Sequence, residues 1–285
     1  MSGVTRRARA KLNLSLDVLG KRPDGFHELC MVMQSCSLAD EVYVESAAPG
    51  DFLAQTNRSY IPTGDKNVAV KAARAYYAAL GREGGAHMRI TKRIPVCAGL
   101  GGGSSDAAAV LAALNELNGG ALDEAALREA ALAAGSDVPF CMLGGTALAE
   151  GRGEALTPLP GLPETDVVIC MPYFNCSTPE LFGRVDARKS RCRPDTAGLL
   201  AALEAGDVLG VARRMYNVFE DVLDRRAAKA VQEIKLLLLA GGALGAAMSG
   251  SGSAVFGLFP DAESARAAAE NAKAVCREVF LAKTE

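Results

Sequence analysis

The sequence predicts an α+β fold divided into two domains. Three observations lead there. The chain opens on residues that alternate between apolar and polar. Its second half alternates strand-like and helix-like runs. Between the halves, Leu156–Pro163 packs three prolines and a glycine into a short stretch, which reads as a junction. The expected domains are residues 1–157 and 158–285.

The elements follow from local pattern. Over residues 9–19, Leu12, Leu14, Leu16 and Val18 fall on one face, and Lys11, Asn13, Ser15 and Asp17 on the other. That period of two is the mark of a half-buried strand with one solvated face. Arg22-Pro23-Asp24-Gly25 is a turn, and Leu29–Leu38 with Glu41–Glu45 returns as strand. Asp65–Leu80 carries Val68, Ala72, Ala75, Tyr76 and Ala79 at helical spacing, with Gly81 as a stop. Met88–Ile94 reads as strand, and Ser104–Leu117 as an Ala/Leu-rich helix. Asp123–Ala134 follows as a second helix with an aspartate cap, and Ala147–Glu154 as strand. Beyond the junction come a strand (Asp166–Met171), helices at Pro179–Arg184, Ala197–Leu223 and Asp224–Leu239, a strand (Ser253–Phe259) and a closing helix, Ala262–Val279.

Composition narrows the function. Lysine and arginine total 31 against 33 aspartates and glutamates, a formal charge of −2, so no global field draws the chain to nucleic acid or anionic lipid. Phosphate handling would need a local site. Eight cysteines without a CxxC pair, and only two histidines, make structural zinc a poor fit. The cysteines sit mostly in apolar runs and read as buried free thiols. The basic N-terminus leads into no apolar run, and no segment reaches the roughly 18 apolar residues needed to span a bilayer. A reducing cytoplasm is the expected location.

The strongest local signal is Pro95-Val96-Cys97-Ala98-Gly99-Leu100-Gly101-Gly102-Gly103-Ser104-Ser105. It lies between a strand and a helix. Four glycines allow close backbone approach, and the two serines open a helix whose free N–H groups and positive dipole end suit an anion. The serine hydroxyls suit phosphate or Mg²⁺. It is no Walker A loop, because no lysine follows the glycines. It is no dinucleotide fingerprint either, because the last glycine position holds Ser104.

This loop resembles the Pro-x-x-x-Gly-Leu-Gly-Ser/Gly-Ser-Ser-Ala motif of the GHMP kinase superfamily, and Gly250-Ser251-Gly252-Ser253 is similar to its C-terminal glycine-rich motif. Further similarity lies in Ala10–Leu14, Gly20–His27, Gly135–Pro139, Ala149–Gly153 and Ser177–Phe182, and so runs over most of the chain. These segments are most similar to the branch acting on a cytidine diphosphate-linked polyol in non-mevalonate isoprenoid synthesis. The resemblance implies an N-terminal domain like ribosomal protein S5 and a ferredoxin-like α/β sandwich behind it. It also implies an ATP- and Mg²⁺-dependent phosphotransferase. On its terms Asp137 is the general base and Lys11 its electrostatic partner. Asn13, Phe26, His27, Thr178 and Phe182 contact the substrate, with Phe26 standing where the family often has tyrosine. Asn67 and Lys92 lie near the adenosine. No metal ligand is assigned, and Asp106 stays without a role. Without the resemblance, Asp137 reads as a turn residue, Lys11 as part of a wet strand face, Asn67 as a helix cap and Phe182 as core. A kinase for mevalonate, homoserine or a sugar, and a non-catalytic nucleotide-binding module, remain open alternatives.

Overall fold

The computed structural model describes residues 3–188 and 192–285. The chain forms two compact units. The first comprises Met1–Ala10, Ala39–Val96 and Gly101–Gly144; the second comprises Lys11–Leu38, Cys97–Leu100 and Gly145–Glu285. Two long strands, β1 (Val4–Lys21) and β2 (His27–Ala47), contribute residues to both.

In the first unit β3 (Phe52–Thr56) is followed by α1 (Val68–Leu80), β4 (Gly85–Thr91), α2 (Gly102–Leu117), α3 (Glu124–Ala134) and α4 (Val138–Leu143). β4 pairs antiparallel with the C-terminal half of β2, from Glu41 opposite Thr91 to Ala47 opposite Gly85, and parallel with β3. Of the apolar residues expected to line α1, Ala72 and Tyr76 are buried, Val68 and Ala75 half-buried and Ala79 exposed, while Val70 and Ala73 are buried beside them. Asn67 caps this helix by accepting from the Ala69 N–H at 2.9 Å, and Gly81 ends it in the left-handed region at φ +68°. α2 starts at Gly102, two residues ahead of the serine expected to open it. Its alanines Ala107, Ala108, Ala109 and Ala113 are buried and let α1 approach closely.

A buried ionic cluster fixes the exit from β4. Lys92 donates to Asp106 at 2.6 Å and to Asp40, and all three side chains are almost wholly shielded from solvent. Asp40 also accepts from the backbone N–H groups of Arg93 and Ile94, just ahead of the glycine-rich loop. Burial works against the Lys92 charge, but the two carboxylates outweigh it and hold its pKa above the ordinary value. One oxygen of Asp106 has no hydrogen-bond partner.

In the second unit β5 (Thr146–Gly151) pairs with the N-terminal half of β2 and with β6 (Ala155–Leu159). The Leu156–Pro163 stretch therefore carries strand as far as Leu159. β7 (Asp166–Met171), α5 (Thr178–Ala187), α6 (Thr196–Glu204) and α7 (Val208–Ala212) come next, then a short β8 (Tyr216–Asn217) parallel to β1 and a 3₁₀ turn, Val218–Val222. α8 (Arg225–Ala240), β9 (Gly245–Met248), β10 (Val255–Phe259), α9 (Ala262–Ala272) and β11 (Glu278–Lys283) complete the chain. The order β11-β7-β10-β9 makes an antiparallel sheet on which α8 and α9 pack.

Several expectations needed correction. The single helix over Ala197–Leu223 is broken, because Gly206 turns at φ +64° and Asp207 starts a new helix by capping Gly210. The closing helix stops at Ala272, and the residues up to Lys283 add a strand against β7. The strand expected from Met88 begins at Gly85, so that His87 lies on β4, where it pairs with Asp51 at 2.8 Å. The cysteines are all free, but only Cys36, Cys170 and Cys276 are fully buried, while Cys97 and Cys192 are exposed. The polar face of β1 is not wet: Lys11 is 5% exposed, Asn13 and Ser15 0% and Asp17 6%. Among the described residues no helix is long and apolar enough to cross a membrane.

The ionic cluster has a pH signature. Burial, with Asp40 adding to it and Lys92 opposing it, pushes the Asp106 carboxyl up to about 7. In the unfolded chain it titrates near 3.9, as an ordinary aspartate does. Between those values the folded protein holds a proton that the unfolded chain has released, so stability falls as pH rises through the window. Asp106→Asn should remove up to about 1.4 kcal/mol per pH unit of that slope, read by denaturant unfolding from pH 4 to 7. Parallel profiles for the two proteins would contradict this.

Candidate active site

The glycine-rich loop divides between the units. Its middle, Cys97–Leu100, belongs to the second. There the Ala98 carbonyl accepts from the Ala254 N–H at 3.0 Å, the Gly99 carbonyl from the Ser249 hydroxyl at 3.0 Å, and the Leu100 carbonyl from the Lys11 N–H at 3.0 Å. Gly99 sits at φ +77°, and a Cβ on it would lie 2.0 Å from the Ser249 carbonyl oxygen. The glycine is therefore demanded by the fit of this loop against Ser249–Ser253. Cys97 is held at φ +56°, a region that costs a non-glycine residue energy.

The other part of the loop, Gly101–Ser105, belongs to the first unit. Gly101 turns at φ +68° and leads into α2 without any side-chain cap. The first-turn N–H groups of Gly102, Gly103 and Ser104 have no acceptor within the helix, and they carry the positive end of its dipole. A Cβ at Gly102 would press on Ile94 and come 3.4 Å from the Lys92 ammonium, whereas one at Gly103 would meet only Val68, at 3.8 Å. Gly103 is exposed and Ser104 half-buried, so the open side of the turn is here. Ser105 is turned inward, donating to the Arg9 carbonyl and lying 3.3 Å from the Cys141 sulfur. Pro95, Ala98 and Leu100 are buried framework, and Val96 is half-buried. An uncapped helix start with an open, glycine-lined edge fits polyphosphate.

In the second unit β1 supplies Lys11 and Asn13. The Lys11 ammonium donates to the Asn13 Oδ1 at 2.7 Å, and the same oxygen accepts from the Gly250 N–H at 2.9 Å. The Asn13 N–H reaches the Ser249 hydroxyl at 3.2 Å. Asn217 secures the other side of the Gly250 turn, donating to the carbonyls of Met248 at 2.8 Å and Gly250 at 2.7 Å. Glu220 accepts from the Met248 N–H at 2.8 Å and pairs with Lys235. Thr178, at the start of α5, shares a 2.6 Å hydrogen bond with Ser251. Sequence reasoning missed Asn217, Glu220 and Ser249, because isolated polar residues between apolar runs give no periodic signal.

The aromatic residues gather in the same unit. His27 stacks on Phe182 with ring centroids 4.3 Å apart and planes 18° apart, and Phe219 meets Phe182 edge-on at 5.0 Å. Phe26 is half exposed at the tip of the turn, where its N–H donates to Asp24 at 3.1 Å and the Arg152 guanidinium lies over its ring at 4.9 Å. Arg152 supplies a cation–π partner that the sequence does not predict.

The remaining candidates lie in the first unit. Asn67 is the α1 cap and also donates to the Pro62 carbonyl at 2.7 Å. Lys92 is committed to Asp40 and Asp106. Asp137 stands half-buried at the start of α4, immediately before Val138-Pro139, and makes no capping bond to that helix. Among the described residues no group of three or more His, Cys, Asp or Glu gathers to hold a metal.

Known proteins match this arrangement along its length. Residues 67–145 match the GHMP kinases N terminal domain and residues 199–278 the GHMP kinases C terminal domain. The chain is 42% identical to the 4-diphosphocytidyl-2-C-methyl-D-erythritol kinase of Acetivibrio thermocellus over 100% of both chains. It is 40% identical to that of Alkaliphilus metalliredigens over 100% of this chain and 97% of the relative. A crystal structure of 4-(cytidine 5'-diphospho)-2C-methyl-D-erythritol kinase superposes with a TM-score of 0.81 at 38% identity, covering 99% of each chain. A homoserine kinase from Cytophaga hutchinsonii shares the fold at a TM-score of 0.78 and 22% identity, over 100% of this chain and 95% of that one. Full-length identity at this level, with both domains matched, means that the chain is a member of the GHMP kinases, in the family of 4-diphosphocytidyl-2-C-methyl-D-erythritol kinases.

Proposed function

We propose that this kinase transfers the γ-phosphoryl group of ATP to the 2-hydroxyl of 4-diphosphocytidyl-2-C-methyl-D-erythritol. One observation favours this acceptor over mevalonate, homoserine or a sugar: the stacked His27–Phe182 pair, braced by Phe219, in the unit that holds Lys11. Small alcohols need no aromatic platform, whereas a nucleobase stacks on one. The named relatives point the same way. Paired candidates for base and charge relief, Asp137 and Lys11, argue against a module that only binds nucleotide.

Each residue then has a task. The N–H groups of Gly102, Gly103 and Ser104 bind phosphate oxygens at the α2 start. The Ser104 hydroxyl is the loop oxygen that would help to hold Mg²⁺, which would supply neutralisation of the phosphate charge. Asp137 takes the proton of the attacking hydroxyl, and Lys11, oriented by Asn13, stabilises the charge that develops. Phe26 and His27 hold the base, with Thr178 beside them in the acceptor site. Asn67 and Lys92 shape the adenosine side from their capped and ion-paired positions. Transfer is direct and in line, since no activated histidine or cysteine nucleophile is part of the proposed machinery. On this reading residues 1–157 are the ATP-binding and catalytic half, which also carries Asn13, Phe26 and His27, and residues 158–285 serve the substrate side with Thr178 and Phe182. Eight free thiols suit a reducing cytoplasm.

The test is ADP release from Mg·ATP with a panel of alcohols. Turnover with the cytidine diphosphate-linked polyol is expected; turnover only with mevalonate, homoserine or galactose contradicts the reading. Asp137→Asn should lower kcat by roughly 10²–10⁴-fold, the usual span for a general base, while ATP still binds. A fully active variant would remove Asp137 from the mechanism.

A further inference from the structure

Asp186, in the last turn of α5, places Oδ1 2.9 Å from the His27 Nε2. No family motif read from the sequence includes it. We propose that Asp186 is a positioning residue that fixes the proton of His27 on Nε2 and so makes the site select cytosine over uracil. The proposal rests on the cytidine-linked acceptor argued above.

An ionised carboxylate only accepts hydrogen bonds, so the nitrogen facing it must carry a proton. Lys21 lies 3.9 Å from the other Asp186 oxygen. In the neutral imidazole the second nitrogen, Nδ1, is then an acceptor, because the partner of one ring nitrogen sets the state of the other. The ring is also held in orientation. Its face lies on Phe182, and Phe182 is braced by Phe219, whose N–H is tied to Asn217 at 3.0 Å. Only 10% of the His27 side chain is exposed, so water has little access to relieve a mismatch.

An acceptor held in this way distinguishes the two pyrimidines. Cytosine presents an exocyclic amino donor where uracil presents a carbonyl oxygen, as the base edges require. The amino group completes the Nδ1 bond. The carbonyl sets two acceptors against each other and leaves both unpaired in a shielded site, a mismatch that such sites reject strongly. An ion pair that served only to brace α5 would leave the choice of base unaffected.

The experiment compares the full-length wild type with Asp186→Asn, using Mg·ATP and either the cytidine diphosphate-linked polyol or its uridine counterpart. Nitrogen-15 NMR of the imidazole is recorded in parallel. The chain has two histidines, so His87→Gln assigns the His27 signals. The wild type should favour the cytidine compound by about 100-fold or more in kcat/KM and show the proton on Nε2. An asparagine can donate to Nε2 as well as accept from it. Asp186→Asn should therefore populate the Nδ1–H form and lose about tenfold or more of the preference, chiefly through KM for the cytidine compound. Asp186→Glu, which retains a carboxylate, should recover the Nε2–H signal and part of the preference. A wild type that turns over both compounds equally removes the cytidine reading and this proposal with it. A discriminating wild type beside an Asp186→Asn protein with the same ratio and the same tautomer overturns the proposal alone.

Discussion

The carboxamide of Asn13 holds the second unit's glycine-rich turn to its first strand. One oxygen, buried on β1, accepts from the Lys11 ammonium and from the Gly250 N–H. Ser249 then reaches the Gly99 carbonyl, and the Ala254 N–H reaches that of Ala98. Gly99 has no room for a side chain because the Ser249 carbonyl lies against it. A polar group at 0% exposure is tolerable only when its hydrogen bonds are met, and these are. Lys11 thus has an orienting partner, and the two glycine-rich segments in this unit support one another.

The first unit solves a related problem with charge. Asp40 accepts from Arg93 and Ile94 and from Lys92, which pins the chain as it leaves β4. Lys92 reaches on to Asp106 on the first turns of α2. Replacing one member of such a cluster leaves a charge buried without its partner, so the three residues behave as a unit. Lys92 is therefore the shared cation of a buried loop support rather than a free surface lysine.

Much of the fold was legible because it rests on periodicity and local chemistry. β1, α1 and β7 follow from alternation or helical spacing, and the α1 cap and stop follow from Asn67 and Gly81. The loop at Pro95–Ser105 was legible because four glycines and two serines form a dense local signal. The misses have a common origin. β11 is an edge strand whose pairing with β7 comes from distant sequence. The wet face assigned to β1 is dry because residues more than 200 positions away, Ser249 and Gly250, bond to it. Asn217 and Asp186 were invisible for the same reason, since each acts on a group far along the chain.

Amide hydrogen exchange at Gly250 tests the support by Asn13 most directly. Asn13→Asp retains the shape and the acceptor oxygens, so the Gly250 amide should exchange as slowly as in the wild type. Asn13→Ala removes the acceptor and should speed exchange at that amide by about fivefold or more, the scale of one lost hydrogen bond, with ATP affinity weakening alongside. A Gly250 amide that stays as protected in Asn13→Ala as in the wild type would contradict the account.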